Sequence, residues 1–207
     1  MTKGDGRLIE EWLPLKELND AAKKEVRFIR VPKINNILSW PARRCCGVAR
    51  DLTASSVLPI ADKIHQFFRD IVGLNRLGRV AGQVIYMATP NRELISKLLK
   101  RYFSKKPQEI IICDPMAGGG SIPLESLRLG FRTVAVEYNP VAYLILKATV
   151  EFPARYADSG LFEEALREAK EMIGWARENL AKFYGVDAEN YIFARGVRCP
   201  FCGGLVP

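Results

Sequence analysis

The sequence predicts an α/β fold, an incomplete parallel sheet with an amino-terminal helical segment ahead of it. Three features carry that prediction. Short apolar runs alternate with amphipathic stretches between residues 109 and 150, a three-glycine turn joins the first run to the first stretch, and residues 1–88 have helical spacing and a more basic composition. Strand–loop–helix–strand–helix is how a parallel sheet begins, because each parallel pair needs a crossover.

Taken in order, Pro14 and the LKELNDAAKKEV that follows read as a helix with proline in its first turn. Pro32 and Asn35-Asn36 break it. Trp40–Asp62 is rich in small residues and reads as a closely packed helix interrupted near Pro59. KIHQFFRDIVG from Lys63 has helical spacing, and the GLNRLGRVAG that overlaps its end reads as loop. Asn91–Phe103 sets Leu94, Ile95, Leu98, Leu99 and Phe103 on one stripe.

Glu109–Cys113 (EIIIC) reads as a strand buried on both faces, with Cys113 as a small hydrophobe. SIPLESLRLG reads as a helix closed by Gly130, and Arg132–Glu137 as a second strand. Pro140–Val150 is expected to turn Val141, Leu144, Ile145 and Ala148 inward. Leu161–Tyr184 is a long packing helix with Phe162, Leu166, Ala169, Ile173, Ala176 and Leu180 on its apolar stripe. Asn190–Val197 reads as a strand leading into a cysteine pair.

The chain has 207 residues and 48% hydrophobic content, enough for a globular core. Its net charge of +8 is uneven: residues 1–108 carry +11 and residues 109–207 carry −3. A basic front half suits phosphate backbones, whose neutralisation releases counterions. No apolar run approaches the roughly 20 residues needed to span a bilayer. The first 11 residues lack the apolar stretch of an export signal, so a cytoplasmic location and no membrane partner are expected. Five cysteines without that signal argue against a disulfide framework, and the single His65 excludes a histidine-rich metal cluster.

The most specific signal is DPMAGGG: Asp114, Pro115, Met116, Ala117, Gly118, Gly119 and Gly120. Glycines let backbone approach a ligand with no Cβ between, and a following helix aims free N–H groups over the turn. Glu137, followed by Tyr138 and Asn139, ends the second strand 19 residues past Gly118, where doubly wound folds hold a ribose-binding acid. A nicotinamide site fits less well, since the third position of its glycine pattern falls on Pro123. S-adenosylmethionine, with an ammonium and a sulfonium, gives Asp114 an electrostatic role. The plainer alternative is a glycine turn that only closes a strand–helix junction.

DPMAGGGSIPLESLRLG and AVEYNPVAYLILKATVEFP resemble prokaryotic adenine-specific DNA methylases that carry a zinc ribbon. LIEEWLPLKELN (Leu8–Asn19) is similar to that family's amino terminus, and YIFARGVRCPFCGG (Tyr191–Gly204) to the start of its metal ribbon. The resemblance implies a Rossmann-like S-adenosylmethionine-dependent methyltransferase core. Asp114, Pro115, Ala117, Gly118, Gly119, Gly120, Glu137, Asn139 and Pro140 then fill the cofactor positions. Two departures stand out. Where the family usually has Trp-Trp-Ala-Arg-Arg-Pro, this chain has Trp40, Pro41, Ala42, Arg43, Arg44 and Cys45. The Pro-Pro-aromatic catalytic motif of base amino-methyltransferases occurs nowhere in the 207 residues, so the catalytic residues are unknown and the chain is expected to bind cofactor without appreciable turnover.

Cys199-Pro-Phe-Cys202-Gly-Gly has the form of one zinc knuckle, and a structural site needs four ligands. Zinc is therefore expected only if two ligands come from elsewhere. A bare thiol pair and a redox motif are the alternatives, the second disfavoured by a location after a helix with no thioredoxin-like context. Arg43 and Arg44, with Arg50, are candidates for phosphate contact and Trp40 for stacking against a nucleic-acid base or against the cofactor, the alternative being a plain basic surface with a packing Trp. The domain reading is a basic helical region at 1–88, the cofactor-binding α/β core at 89–197 and the start of a zinc knuckle at 198–207. The expected partners are nucleic acid, DNA before RNA, and a catalytic half or a second copy. A nucleic-acid-binding module, a complementing subunit of a split enzyme and an RNA methyltransferase are the other readings.

Overall fold

The computed structural model describes residues 6–27, 40, 43–61, 63–76, 85–184 and 196–206. These fall into two units, residues 1–155 and 156–207. The basic front segment and the glycine-turn region therefore lie in the first unit together. Among the described residues no helix is long and apolar enough to cross a membrane.

The first unit is mostly helical: α1 (Leu8–Glu11), α2 (Leu15–Arg27), α3 (Cys46–Val57), α4 (Ile64–Val72) and α5 (Arg92–Phe103) precede β1 (Ile111–Asp114). Then come α6 (Ser121–Leu129), β2 (Arg132–Ala135), α7 (Pro140–Leu146) and α8 (Phe152–Tyr156), the last two joined by a π-helical turn at Lys147–Glu151. Leu18, Ala54, Leu58, Phe68, Ile71, Ile95, Leu99 and Leu129 form one buried cluster. Helical periodicity produces it: Ile64, Phe68, Ile71 and Val72 share one face of α4, and Ile95, Leu98 and Leu99 one face of α5. Asn91 caps α5 by accepting from the Leu94 N–H at 3.0 Å, one of the donors a helix start leaves unpaired.

The start of α3 is capped from outside. Its own N-cap, Cys45, makes no side-chain bond to the helix start, and the Glu25 carboxylate of α2 accepts from Cys46 and Gly47 N–H at 2.7 and 3.0 Å. Burial, the largest influence, raises the Glu25 pKa in spite of those two bonds. The small residues of α3 let it pack closely on α6, as its composition predicted. A Cβ at Gly47 would overlap Ile85 Cγ2 at 1.9 Å.

Strands β1 and β2 pair in parallel, Ile111 opposite Arg132 through Asp114 opposite Ala135, with α6 as the crossover. The α/β alternation is therefore present with two strands. One face, carrying Ile112, Asp114, Thr133 and Ala135, is half-buried. The other is exposed, with Ile111, Cys113 and Val134 open to solvent. This corrects two expectations: β1 is not buried on both faces, and Cys113 is not a core residue. The physical reason is that α6 packs against the strands while nothing among the described residues covers the second face. The expected inward face of α7 is met in part: Ile145 is buried and Ala148, just past its end, half-buried as expected, but Val141 and Leu144 are exposed and Ala142 and Leu146 are buried in their place.

The second unit holds α9 (Leu161–Leu180), a short 3₁₀ turn at Ala181–Phe183, and an antiparallel hairpin of β3 (Val197–Arg198) and β4 (Leu205–Val206). The long helix exists as predicted; of its apolar stripe Ala169, Ala176 and Leu180 are half-buried, and Phe162, Leu166 and Ile173 are exposed. Most of the strand expected at Asn190–Val197 lies outside the described residues, and β3 begins at its last position.

Candidate functional site

Two parallel strands ending side by side put their last residues at one edge, where open α/β sheets hold ligands. Asp114 ends β1, and Glu137 follows β2 by two residues. Between them runs the glycine turn. Ala117 N–H donates to Val136 O at 3.0 Å, and Val136 N–H to Asp114 O at 2.9 Å, so the turn is tied to both strands. Gly118 and Gly120 have φ of +52° and +80°, a region that disfavours side chains, and α6 starts at the next residue. A Cβ on Gly120 would stand 2.7 Å from Leu146 Cδ1, so this glycine also lets α7 come close.

Glu137 does more than end a strand. Its Oε2 accepts from Gly118 N–H at 2.6 Å and its Oε1 from Asn139 N–H at 2.7 Å. The Asn139 bond, first among the causes, and the Gly118 bond hold its pKa below the ordinary range, so it is a carboxylate at neutral pH. An ionised carboxylate has about four lone-pair sites. Gly118 and Asn139 use two and the Tyr138 N–H faces a third, which leaves one to accept from a ligand hydroxyl. Asn139 turns away to cap α7, accepting from Val141 N–H at 2.9 Å. Asp114 accepts weakly from Met116 N–H at 3.3 Å. Met116 (86% exposed) and Tyr138 (101%) stand bare at this edge, and Pro115 is exposed beside them.

The front segment reaches the same loop. A Cβ on Gly118 would lie 3.3 Å from Trp40 Nε1, and one on Gly119 would lie 3.3 Å from Arg43 Cγ and 3.4 Å from Trp40 Cδ1. Ser121 Oγ, at the start of α6, donates to Arg44 O at 2.7 Å. Sequence reasoning offered Arg43 and Arg44 to phosphate and Trp40 to a base or to the cofactor; Trp40 and Arg43 lie against the glycine turn, whose outer side they partly cover. Both terminal nitrogens of Arg43 are buried without an acceptor, and desolvation lowers its pKa. Only Arg44 of the three is exposed.

Arg50, the fourth basic candidate, is fully buried and cannot reach phosphate. Its Nε donates to Glu125 at 2.6 Å and its Nη1 to the carbonyls of Val72, Ile85 and Ala88 at 2.9, 2.8 and 2.8 Å. Glu125 also accepts from Arg128 at 2.7 Å. This network joins α3, which carries the front segment, to α6, which carries the glycine turn. A lone Arg among small residues gave no hint of a partner 75 positions away. Asp51, its neighbour, was missed as well. Its two oxygens are buried with no hydrogen-bond partner, and burial pushes its pKa up to about 8.

A cavity of about 410 Å³ lies elsewhere, between Thr133 and Ala135 of β2 and Tyr143, Leu146, Lys147 and Glu151 of the helical segment after it. No glycine-turn residue lines it.

In the second unit, Cys199 and Cys202 occupy the tip of the β3–β4 hairpin. Cys199 N–H donates to Gly204 O at 2.8 Å, and Gly203 N–H, from a residue with φ +70°, donates to Cys199 O at 2.9 Å. The Cys199 thiol accepts from the backbone N–H of Cys202, the larger influence, and of Phe201, which lowers its pKa. Cys46 is its opposite: burial pushes that thiol up to about 12. Two thiols at one tight hairpin, with backbone N–H groups lowering the pKa of Cys199, are the residues that could hold half of a tetrahedral thiolate site. Among the described residues no group of three or more His, Cys, Asp and Glu could hold a metal ion.

Comparison of the chain with protein-family models, with curated proteins and with solved structures finds no match.

Proposed function

We propose that the first unit binds S-adenosylmethionine at the Asp114–Gly120 turn, as the cofactor-binding part of a Rossmann-like nucleic-acid amino-methyltransferase acting on adenine in DNA. One observation carries the reading: Asp114 ends β1, Glu137 follows the end of the neighbouring parallel strand by two residues, and the Glu137 carboxylate accepts from the turn of bare backbone between them. The cofactor would supply an electrophilic methyl group. Asp114 would face its ammonium, the remaining lone pair of Glu137 would accept from a ribose hydroxyl, and Tyr138 and Met116 would offer apolar surface to the adenine ring. Trp40, against Gly118, would form a wall of the same pocket. The basic front half supports a nucleic-acid partner by long-range attraction, with Arg44 the accessible cation of its Arg pair.

The chain lacks a Pro-Pro-aromatic motif, the element that would hold the exocyclic amine in line with the methyl group. Cofactor binding without appreciable turnover follows. A complementing subunit that supplies the motif, and the second cysteine pair, is the variant of this reading that the exposed sheet face and the two-thiol hairpin favour.

Calorimetry with S-adenosylmethionine tests the proposal. The wild type should bind one cofactor per chain. Glu137→Ala should weaken binding roughly 10- to 100-fold, the worth of a hydrogen bond to a charged group. Absence of heat with the wild type sinks the cofactor reading, and robust methylation by the chain alone sinks the claim that it lacks catalytic equipment.

A further inference from the structure

We infer that α9 pairs, antiparallel, with α9 of a second copy of this chain along its apolar stripe. The inference rests on the second unit alone and not on cofactor binding by the first.

Spacing is the first observation. Phe162, Leu166, Ala169, Ile173, Ala176 and Leu180 recur at intervals of four and three, and Phe183 continues the series into the 3₁₀ turn after the helix. That repeat, about 3.5 residues on average, is the one that keeps two helices in register along a shared seam. The groove along the stripe has the shape of such a seam. It measures about 420 Å³ and is lined by Ile173, Ala176, Arg177 and Leu180 of α9, with Ala181 and Tyr184 beyond it. The first four stand at i, i+3, i+4 and i+7, the corners of the hole into which a facing helix inserts one side chain. Ala176, with only a methyl group, leaves that hole open.

Size and charge select the occupant. With two copies of α9 fully overlapped and antiparallel, Leu166 of one faces Ala176 of the other, Ala169 faces Ile173, and Phe162 faces Leu180. Each alanine then meets a large side chain. A parallel pair would set alanine on alanine at 169 and 176 and leave gaps in the seam, which forfeit contact energy. Charge agrees with the antiparallel choice. Arg167, away from the stripe, pairs within the helix with Glu164, Glu168 and Glu171. Glu163 and Arg177 flank the stripe, and neither makes an ion pair among the described residues. Antiparallel pairing brings each Glu163 beside Arg177 of the other copy, twice over by the twofold axis. In a parallel pair the two would stand about 21 Å apart along the helix axis. Lys170 meets its own copy at the axis, where its long stem lets the ammonium turn to water.

The test uses the full chain with reductant and chelator present, so that neither disulfides nor metals hold copies together. Sedimentation equilibrium reads the mass, which should double from 23.3 kDa with a Kd on the order of 10 µM. Ile173→Glu puts a charge in the seam and should abolish the dimer. Its helical circular dichroism should not change, because Ile173 is exposed in the single chain. Glu163→Arg and Arg177→Glu should each weaken association roughly tenfold, and the two combined in one chain should restore the wild-type Kd. Only antiparallel pairing predicts that rescue. A wild-type chain still monomeric at about 100 µM would leave the seam to a partner of another sequence and overturn the inference. So would an Ile173→Glu variant that dimerises, or a double variant no tighter than the singles. Failure of S-adenosylmethionine binding would leave these masses unchanged, so the two proposals fail separately.

Discussion

Removing Glu125 tests how the first unit holds its glycine turn in place. Glu125→Gln keeps the shape of the side chain and deletes its charge. The Arg50 guanidinium then remains fully buried, still donating to the carbonyls of Val72, Ile85 and Ala88 but with its counter-charge gone. Two opposite charges about 4 Å apart attract by about 4 kcal/mol at an effective dielectric of 20, and breaking a buried pair from one side typically costs about 3–5 kcal/mol. Arg128 loses its partner too, but it is partly exposed and water can take over.

Arg50→Met fails differently. It leaves Glu125 paired with Arg128 and deprives three carbonyls of a donor. Each single variant should lose about 3–5 kcal/mol in urea unfolding, and the double variant about 2–4 kcal/mol less than the sum of the two. Because the pair joins α3 to α6, affinity for the proposed cofactor should fall in both singles under conditions where they remain folded. A loss below about 1 kcal/mol in Glu125→Gln, or strict additivity in the cycle, would refute the account of the pair as a unit.

Three further outcomes follow from the geometry. Gly120→Ala places a Cβ 2.7 Å from Leu146 Cδ1 at φ +80°, and urea unfolding should show a loss of about 2–3 kcal/mol, most of it from backbone strain and overpacking. Asp51 should make stability fall as pH rises. The native carboxyl keeps its proton up to about pH 8, whereas the unfolded one releases it above its ordinary value of 3.8. Stability is therefore lost across that window, on the order of 5 kcal/mol over its whole width. The advantage of Asp51→Asn over wild type should grow between pH 5 and pH 8 in denaturant titrations, and an unchanged difference would count against the buried, unpaired carboxyl. Trp40→Ala should weaken S-adenosylmethionine binding about fivefold by calorimetry, with the tryptophan emission change on cofactor addition lost in the variant and kept in the wild type.

Local order was legible because it is encoded locally. The spacing of Leu94, Ile95, Leu98 and Leu99 was enough for α5, and Gly130 marked the end of α6 because a φ of +94° selects glycine. The turn at Asp114–Gly120 and the acid at Glu137 could be read together, since a strand, a turn and one crossover helix fix their separation in sequence. The tight turn at Cys199–Cys202 was readable from four residues.

What no local pattern contains is the choice of neighbour. An apolar run such as EIIIC reads the same whether one face is covered or two, and so β1 was expected to be buried where Ile111 and Cys113 are bare. The stripe on α9 has the spacing of a packing helix, yet only Ala169, Ala176 and Leu180 of it are half-buried. Arg50 looked like any surface cation until folding placed Glu125 against it, and no spacing in the sequence showed that Trp40 lies against Gly118. Periodicity determines which side chains share a face. Only the tertiary structure decides what that face meets, because burial and pairing depend on groups far away in the chain and so on distances that sequence spacing does not carry.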